Sequence, residues 1–247
     1  MDLIREAIQS FTGDYETDET IWKSIRKRSI RLRVQQFLYK AINNTPMVGE
    51  KWSHIPGYEQ RGQCAICRTT ENMSHIILTC NAPPVDRIWN LAKQLWPHEN
   101  LKWPDITFGT ILGSACITAQ EDPQHERDGS EWNRNDQRGA TRLLQITISE
   151  AAHLIWVLRC ERVIQEKVHT EEEITARWYK AINRRLTDNK IAATIIKREK
   201  PFTQLVESTW EKALKKISDL PTKWIYQREV LVGSNALRTS AQEGRRH

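Results

Sequence analysis

Four residues in one short stretch could grip a metal ion: Cys64, Cys67, His75 and Cys80. The stretch reads CAICRTTENMSHIILTC, which is a C-x2-C-x7-H-x4-C spacing. Two cysteines three positions apart can turn both thiolates toward one ion from a tight knuckle. A later histidine and cysteine complete a tetrahedron, with Zn–S near ~2.3 Å and Zn–N near ~2.0–2.1 Å. Four protein ligands leave no open coordination position, so the expected cofactor is a single structural Zn2+ and not a hydrolytic one. Three thiolates on a divalent ion carry a net charge of about −1, which Arg61 and Arg68 are close enough in sequence to offset. One constraint follows from the spacing. Five residues turn by about 140° beyond a full circle on an ideal α-helix. Cys80 must therefore sit at or beyond a helix end, and Asn81-Ala82-Pro83 supplies the break. The competing reading is a set of buried free thiols beside an incidental histidine.

The other two cysteines, Cys116 and Cys160, lie in apolar company and read as inert core thiols. His153 and Cys160 share a helix face but stand ~10 Å apart along the axis, too far for one ion to bridge. Crowding of three cysteines into residues 64–80, out of five in all, suits a reducing compartment better than a disulfide framework.

A second constellation is basic. Lys23, Arg26, Lys27, Arg28, Arg31 and Arg33 fall within eleven residues of a chain whose formal net charge is +6. Such a face could track phosphates, each cation releasing counterions on binding. The alternative is a solvated helix face. Trp52, Trp96 and Trp103 lie in loops around the cysteine cluster and could stack on bases or cover a small core. No Gly-rich phosphate loop, G-x-S-x-G elbow or His-Glu-x-x-His motif is present. The acidic run Glu171-Glu172-Glu173 is accounted for by the positive end of a helix. The sequence therefore reads as a non-catalytic chain.

The elements that must position these residues are helical, and the expected fold class is mainly α. Residues 18–43 read as one helix, with Ile30, Val34, Phe37 and Ala41 at helical spacing and a cap from Asp18 or Thr20. A second helix begins after Asn81, with Pro83 and Pro84 in its first turn and Val85, Ile88, Trp89, Ala92 and Leu95 as its apolar stripe. Asp105 is expected to cap a short helix that Gly113 ends. Residues 140–167 form the longest and most apolar helix. Thr170 and Glu173 make a capping box for a helix to about residue 187, and a last helix spans 201–217. The expected organisation is an N-terminal basic helix (1–45), a zinc-binding module with following helices (46–116), a flexible linker (117–139), a C-terminal helical subdomain (140–220) and a polar tail (221–247). The N-terminus lacks an apolar leader core, and no apolar run approaches the ~20 residues that span a bilayer. The expected location is intracellular, nuclear or cytoplasmic, with no membrane partner.

Segments at FLYKAI (37–42), WSHIPGYEQRGQCAIC (52–67), HIILTC (75–80), IWNLAKQLW (88–96) and ISEAAHLIWVLRCER (148–162) carry a family likeness. From Trp22 through Pro221 the chain resembles the reverse-transcriptase zinc-binding domain. In fungal non-LTR retrotransposon polyproteins that region lies C-terminal to the reverse transcriptase and ribonuclease H domains. The resemblance implies zinc ligands at Cys64, Cys67, His75 and Cys80. It also implies a role in engaging RNA or target DNA, beside parent polyprotein domains. The polymerase Tyr-x-Asp-Asp signature is missing, and the ribonuclease H carboxylates find no clear counterpart. The expectation is a detached accessory fragment that binds nucleic acid. The alternatives are the remnant of a reverse transcriptase or ribonuclease H enzyme, and a protein–protein adaptor whose zinc only shapes a surface.

Overall fold

A computed structural model describes residues 1–122, 134–195, 200–214, 223–227 and 230–233. The chain is mostly helical, and its larger helices in order are α1 (Asp2–Thr12), α2 (Asp18–Ile25), α3 (Leu32–Ile42), α4 (Pro83–Leu95), α5 (Phe108–Leu112), α6 (Arg134–Ile164), α7 (Glu171–Ile195) and α8 (Lys200–Trp210). Among the described residues the only β pairing is three isolated bridges.

Local chemistry sets most of these ends. Pro83 and Pro84 open α4, where missing N–H groups cost nothing. In α7 the expected capping box is formed: the Thr170 N–H donates to Glu173 Oε2 and the Glu173 N–H to Thr170 Oγ1, both at 3.2 Å. Thr17, not Asp18 or Thr20, caps α2, its hydroxyl accepting from the Thr20 N–H. Thr107, not Asp105, caps α5 in the same way. Helix α1 is an addition to the sequence reading. Ile4 and Ile8 bury its inner face, and Gly13 ends it in the left-handed conformation at φ 80°. It crosses α5 closely, because a Cβ on Gly109 would fall 2.2 Å from the Leu3 carbonyl oxygen.

The single helix expected over 18–43 is two helices with a turn at residues 26–31. Tertiary bonds overrule the local pattern there. Ser29 donates its hydroxyl to Gln145 and its carbonyl accepts from Arg185 Nη2 at 2.8 Å. Lys27 Nζ reaches the Ala115 carbonyl at 2.8 Å. The last expected helix, 201–217, runs as Lys200–Trp210 and passes into a 3₁₀ turn, and its expected end at 215–217 lies outside the described residues.

Helix α6 is the spine. One apolar cluster joins its Leu143, Ile146, Ile155 and Leu158 to α4, α7 and α8, and includes Cys64 and Cys80. A second joins its Leu144, Ile148 and Ala152 to α1, α2, α3, α5 and Ile76 and Ile77. Trp178 and Trp210 are fully enclosed in the first cluster, each contributing on the order of 150–250 Å² of buried surface. By length and composition α6 could cross a bilayer, but 78% of its most apolar window is covered by the rest of the protein. The expected linker, 117–139, has its centre at 123–133 outside the described residues. Its edges are structured: Ile117 and Ala119 are buried, and residues 134–139 are helical.

Candidate metal centre

The loop before the cysteines is laid backbone on backbone against the strand-like segment after them. Gly49 has φ 60°, and a Cβ there would lie 2.1 Å from the Glu71 carbonyl oxygen. The Glu71 N–H donates to the Gly62 carbonyl at 2.9 Å. Gln63 and Thr70 pair as an antiparallel bridge. Inside it, the Cys64 N–H donates to Thr69 O and the Arg68 N–H to Cys64 O, both at 2.8 Å. These bonds fold residues 64–69 into the expected knuckle.

The second half of the site solves the register problem with an unusual turn. Asn72 Oδ1 accepts the His75 N–H at 2.8 Å, and residues His75–Thr79 form a π turn. The Cys80 N–H closes it onto the His75 carbonyl at 2.8 Å. A bond from residue i to i+5 brings Cys80 back over His75. Cys80 itself is extended, at the helix end the spacing required.

Four ligand atoms thus converge, all within 4.8 Å of one another. Cys64 Sγ lies 3.6 Å from Cys80 Sγ, and Cys67 Sγ 3.9 Å from it. A tetrahedron with ~2.3 Å metal–sulfur bonds has edges of about 3.8 Å, so the sulfurs stand where one ion would hold them. All the cysteines are free thiols. His75 Nε2 is buried with no hydrogen-bond partner, while Thr79 Oγ1 lies 3.3 Å from Nδ1. The ring therefore offers Nε2 to the sulfurs and keeps its other nitrogen for a supporting bond. Among the described residues, no other group of three or more His, Cys, Asp or Glu side chains comes close enough to share an ion.

Electrostatics favour thiolate at one end of the cluster. Burial pushes the Cys64 thiol up, but N–H groups from Cys67 and Ile66, with His75 and Cys80, bring it down to about 7. Burial, reinforced by Cys64, pushes Cys80 up to about 11. A divalent ion would remove that conflict by taking both sulfurs as thiolates. Arg61 and Arg68, expected to offset the charge, do other things. Arg61 lies over the rings of Tyr58 and Trp52, 4.5 and 5.3 Å from their centroids. Arg68 is exposed, at φ 59°. The cation acting on Cys80 is Arg162 of α6, which sequence spacing gave no means to find. Beside it, Glu71 forms an ion pair with Arg159 of α6, both almost fully buried.

The basic constellation is divided by the turn at 26–31. Lys23 pairs with Glu19 at 2.6 Å, and Lys27 is tied to Ala115. Arg31 turns inward, its Nη2 2.7 Å from Glu150 Oε2. Arg185 Nε approaches the other carboxylate oxygen at 3.5 Å. Burial raises the Glu150 acid while Arg31 and Arg185 pull it down. His153, nearby, is lowered to about 4, first by burial and then by Arg31 and Arg33, so it is neutral at pH 7. Arg26, Arg28 and Arg33 remain exposed, with no carboxylate partner among the described residues.

The remaining sequence candidates fall into the packing. Trp96 and Trp103 pack on each other at 6.0 Å over the core, and Trp96 donates to the Leu101 carbonyl. Trp52 is the exception: it lies outside the apolar clusters, 6.2 Å from the exposed Tyr58. Burial raises the Cys116 and Cys160 thiols, as inert core cysteines require. No family model matches the chain, and no curated protein or solved structure matches it either.

Proposed function

We propose that this chain is a zinc-dependent nucleic-acid-binding module that acts by binding and not by catalysis. One observation carries the reading: three sulfurs at tetrahedral spacing and a buried, unpartnered His75 Nε2 meet at one point. Thiolate and imidazole donors in that shape select Zn2+ among the common divalent ions. Four protein ligands leave no position for a reacting water, so the ion organises the fold around Cys64, Cys67, His75 and Cys80. The nucleic-acid side rests on the exposed cations Arg26, Arg28 and Arg33. The resemblance to retrotransposon zinc-binding regions supports an accessory role beside a reverse transcriptase, with RNA as the first ligand to test. Thiols kept as metal ligands suit a reducing, intracellular compartment.

Metal analysis of the purified protein is expected to give one zinc per chain. RNA titrated at two salt concentrations is expected to bind more weakly at the higher one. Replacing Arg26, Arg28 and Arg33 with glutamine is expected to lower affinity and flatten the salt slope by about 2, three phosphate contacts on a single strand. Arg31 is left intact because its neutralisation would also unpair Glu150. Metal-free wild type, or unchanged RNA binding by the triple variant, overturns the reading.

A further inference from the structure

Resting on that nucleic-acid reading, we infer that the α2–α3 hairpin is a base-stacking platform for single-stranded nucleic acid, with Tyr39 and Trp22 as its aromatic floor. The inner face of α3 buries Val34, Phe37, Leu38 and Ala41 as expected. Its outer face carries two large apolar side chains among the polar ones. Leu32 is 67% exposed and Tyr39 is 56% exposed. Seven residues apart, they lie within about 20° of each other round the helix. Tyr39 is held in place by Trp22 of α2, ring centroids 5.6 Å apart and planes inclined at 55°. Trp22 is anchored on the core at its other edge. The floor is therefore rigid and half open.

Cations flank it. Arg26 stands one turn beyond Trp22 on the same side of α2. Arg33 and Lys40, also seven apart, lie together on the adjoining side of α3, and all three are exposed. Helix α3 contains no acidic residue, and the two acids of α2, Asp18 and Glu19, are taken up by Arg5 and Lys23. Cations without carboxylate partners among the described residues, set beside a half-open aromatic pair, are complementary to phosphates joined by bases with open faces. A duplex hides those faces in its own stack, so it can use the rim but not the floor.

The test is anisotropy binding of labelled oligouridine, oligothymidine and a duplex of equal length to the zinc-loaded full chain. Tyr39 is exposed, so its replacement leaves the fold intact, which circular dichroism checks. Tyr39→Ala is expected to weaken single-strand binding about tenfold, the size of one lost stacked base, and to leave duplex binding unchanged. Tyr39→Phe is expected to restore wild-type affinity. Single-strand binding is expected to quench tryptophan emission, and Trp22→Phe to remove part of that quench. Single-strand binding unmoved by Tyr39→Ala, or an equal loss with duplex, overturns the platform while leaving nucleic-acid binding in place. Sedimentation showing that Tyr39→Ala abolishes self-association instead assigns this face to a second copy and also overturns it. Wild type that binds none of the three probes removes the underlying functional reading as well.

Discussion

The cysteine knuckle and the basic turn at 26–31 are both short and irregular, and each is fastened to α6 by one buried carboxylate. The polarity of the fastening is reversed. At the knuckle the loop supplies the acid, Glu71, and the helix supplies Arg159. At the turn the helix supplies the acid, Glu150, and the loop supplies Arg31, with Arg185 of α7 as a second cation. The knuckle also has converging donors that one ion could tie together, whereas the turn is held further only by the hydrogen bonds of Lys27, Ser29 and Arg185. Buried pairs of this kind are expensive to break and add little net stability, because their desolvation offsets most of the attraction. What they fix is position. In one region they orient the loop of converging cysteines, and in the other they hold a helix break that sends Arg26 and Arg28 outward.

The sharpest test removes the fastening that only one region has. Cys67→Ser, or chelation of the wild type, is expected to abolish metal binding, where on the order of 10 kcal/mol of binding free energy is at stake. Hydrogen exchange should show protection lost across 63–80 and kept at 26–31. Equal loss in both regions would show that the ion organises the whole fold and erase the distinction.

A smaller effect separates the two ion pairs. Arg159→Met strands Glu71 and is expected to cost about 3–5 kcal/mol. It should also speed zinc loss to a chelator. Glu150→Gln should leave zinc loss unchanged while loosening the turn that Arg31 and Arg185 hold, seen as faster hydrogen exchange across 26–31. Chelator kinetics that respond alike to both variants would break the comparison.

The smallest effect concerns a fastening at the surface. Arg177, with His169, bonds to Glu161 and holds its carboxyl near about 2, against an ordinary 4.5. The folded chain therefore binds this proton less readily than the unfolded chain. The resulting stability is complete above about 4.5 and drains away as pH falls toward about 2. Because the pair is partly solvated, about 1 kcal/mol is expected. Urea unfolding of wild type and Arg177→Gln should differ at neutral pH and converge in acid. A gap that persists in acid would assign the effect to packing.

How much of this was legible in sequence depends on the range of the forces involved. The ligand set, the opening of α4 and the Thr170–Glu173 box are local, and residues a few positions apart announce them. Helix α1 is equally local: Ile4, Ile8 and Gly13 carry its stripe and its stop. The helix break at 26–31 was hidden, because its cause lies at Ala115, Gln145 and Arg185, far along the chain. Glu71 and Arg159 are 88 residues apart, and neither is unusual where it stands. The His75–Cys80 spacing stated a problem that the π turn solves, but periodicity alone did not name the turn.

The shared spine sets a limit on how the chain can be divided. Both apolar clusters take one wall from α6 and another from residues before 118. A cut in the polar stretch at 123–133 would look harmless in the sequence. It would leave an N-terminal piece with two open interiors and a C-terminal piece missing the opposite wall of each, so the halves are inseparable as folding units even though the chain between them carries no branched aliphatic side chain.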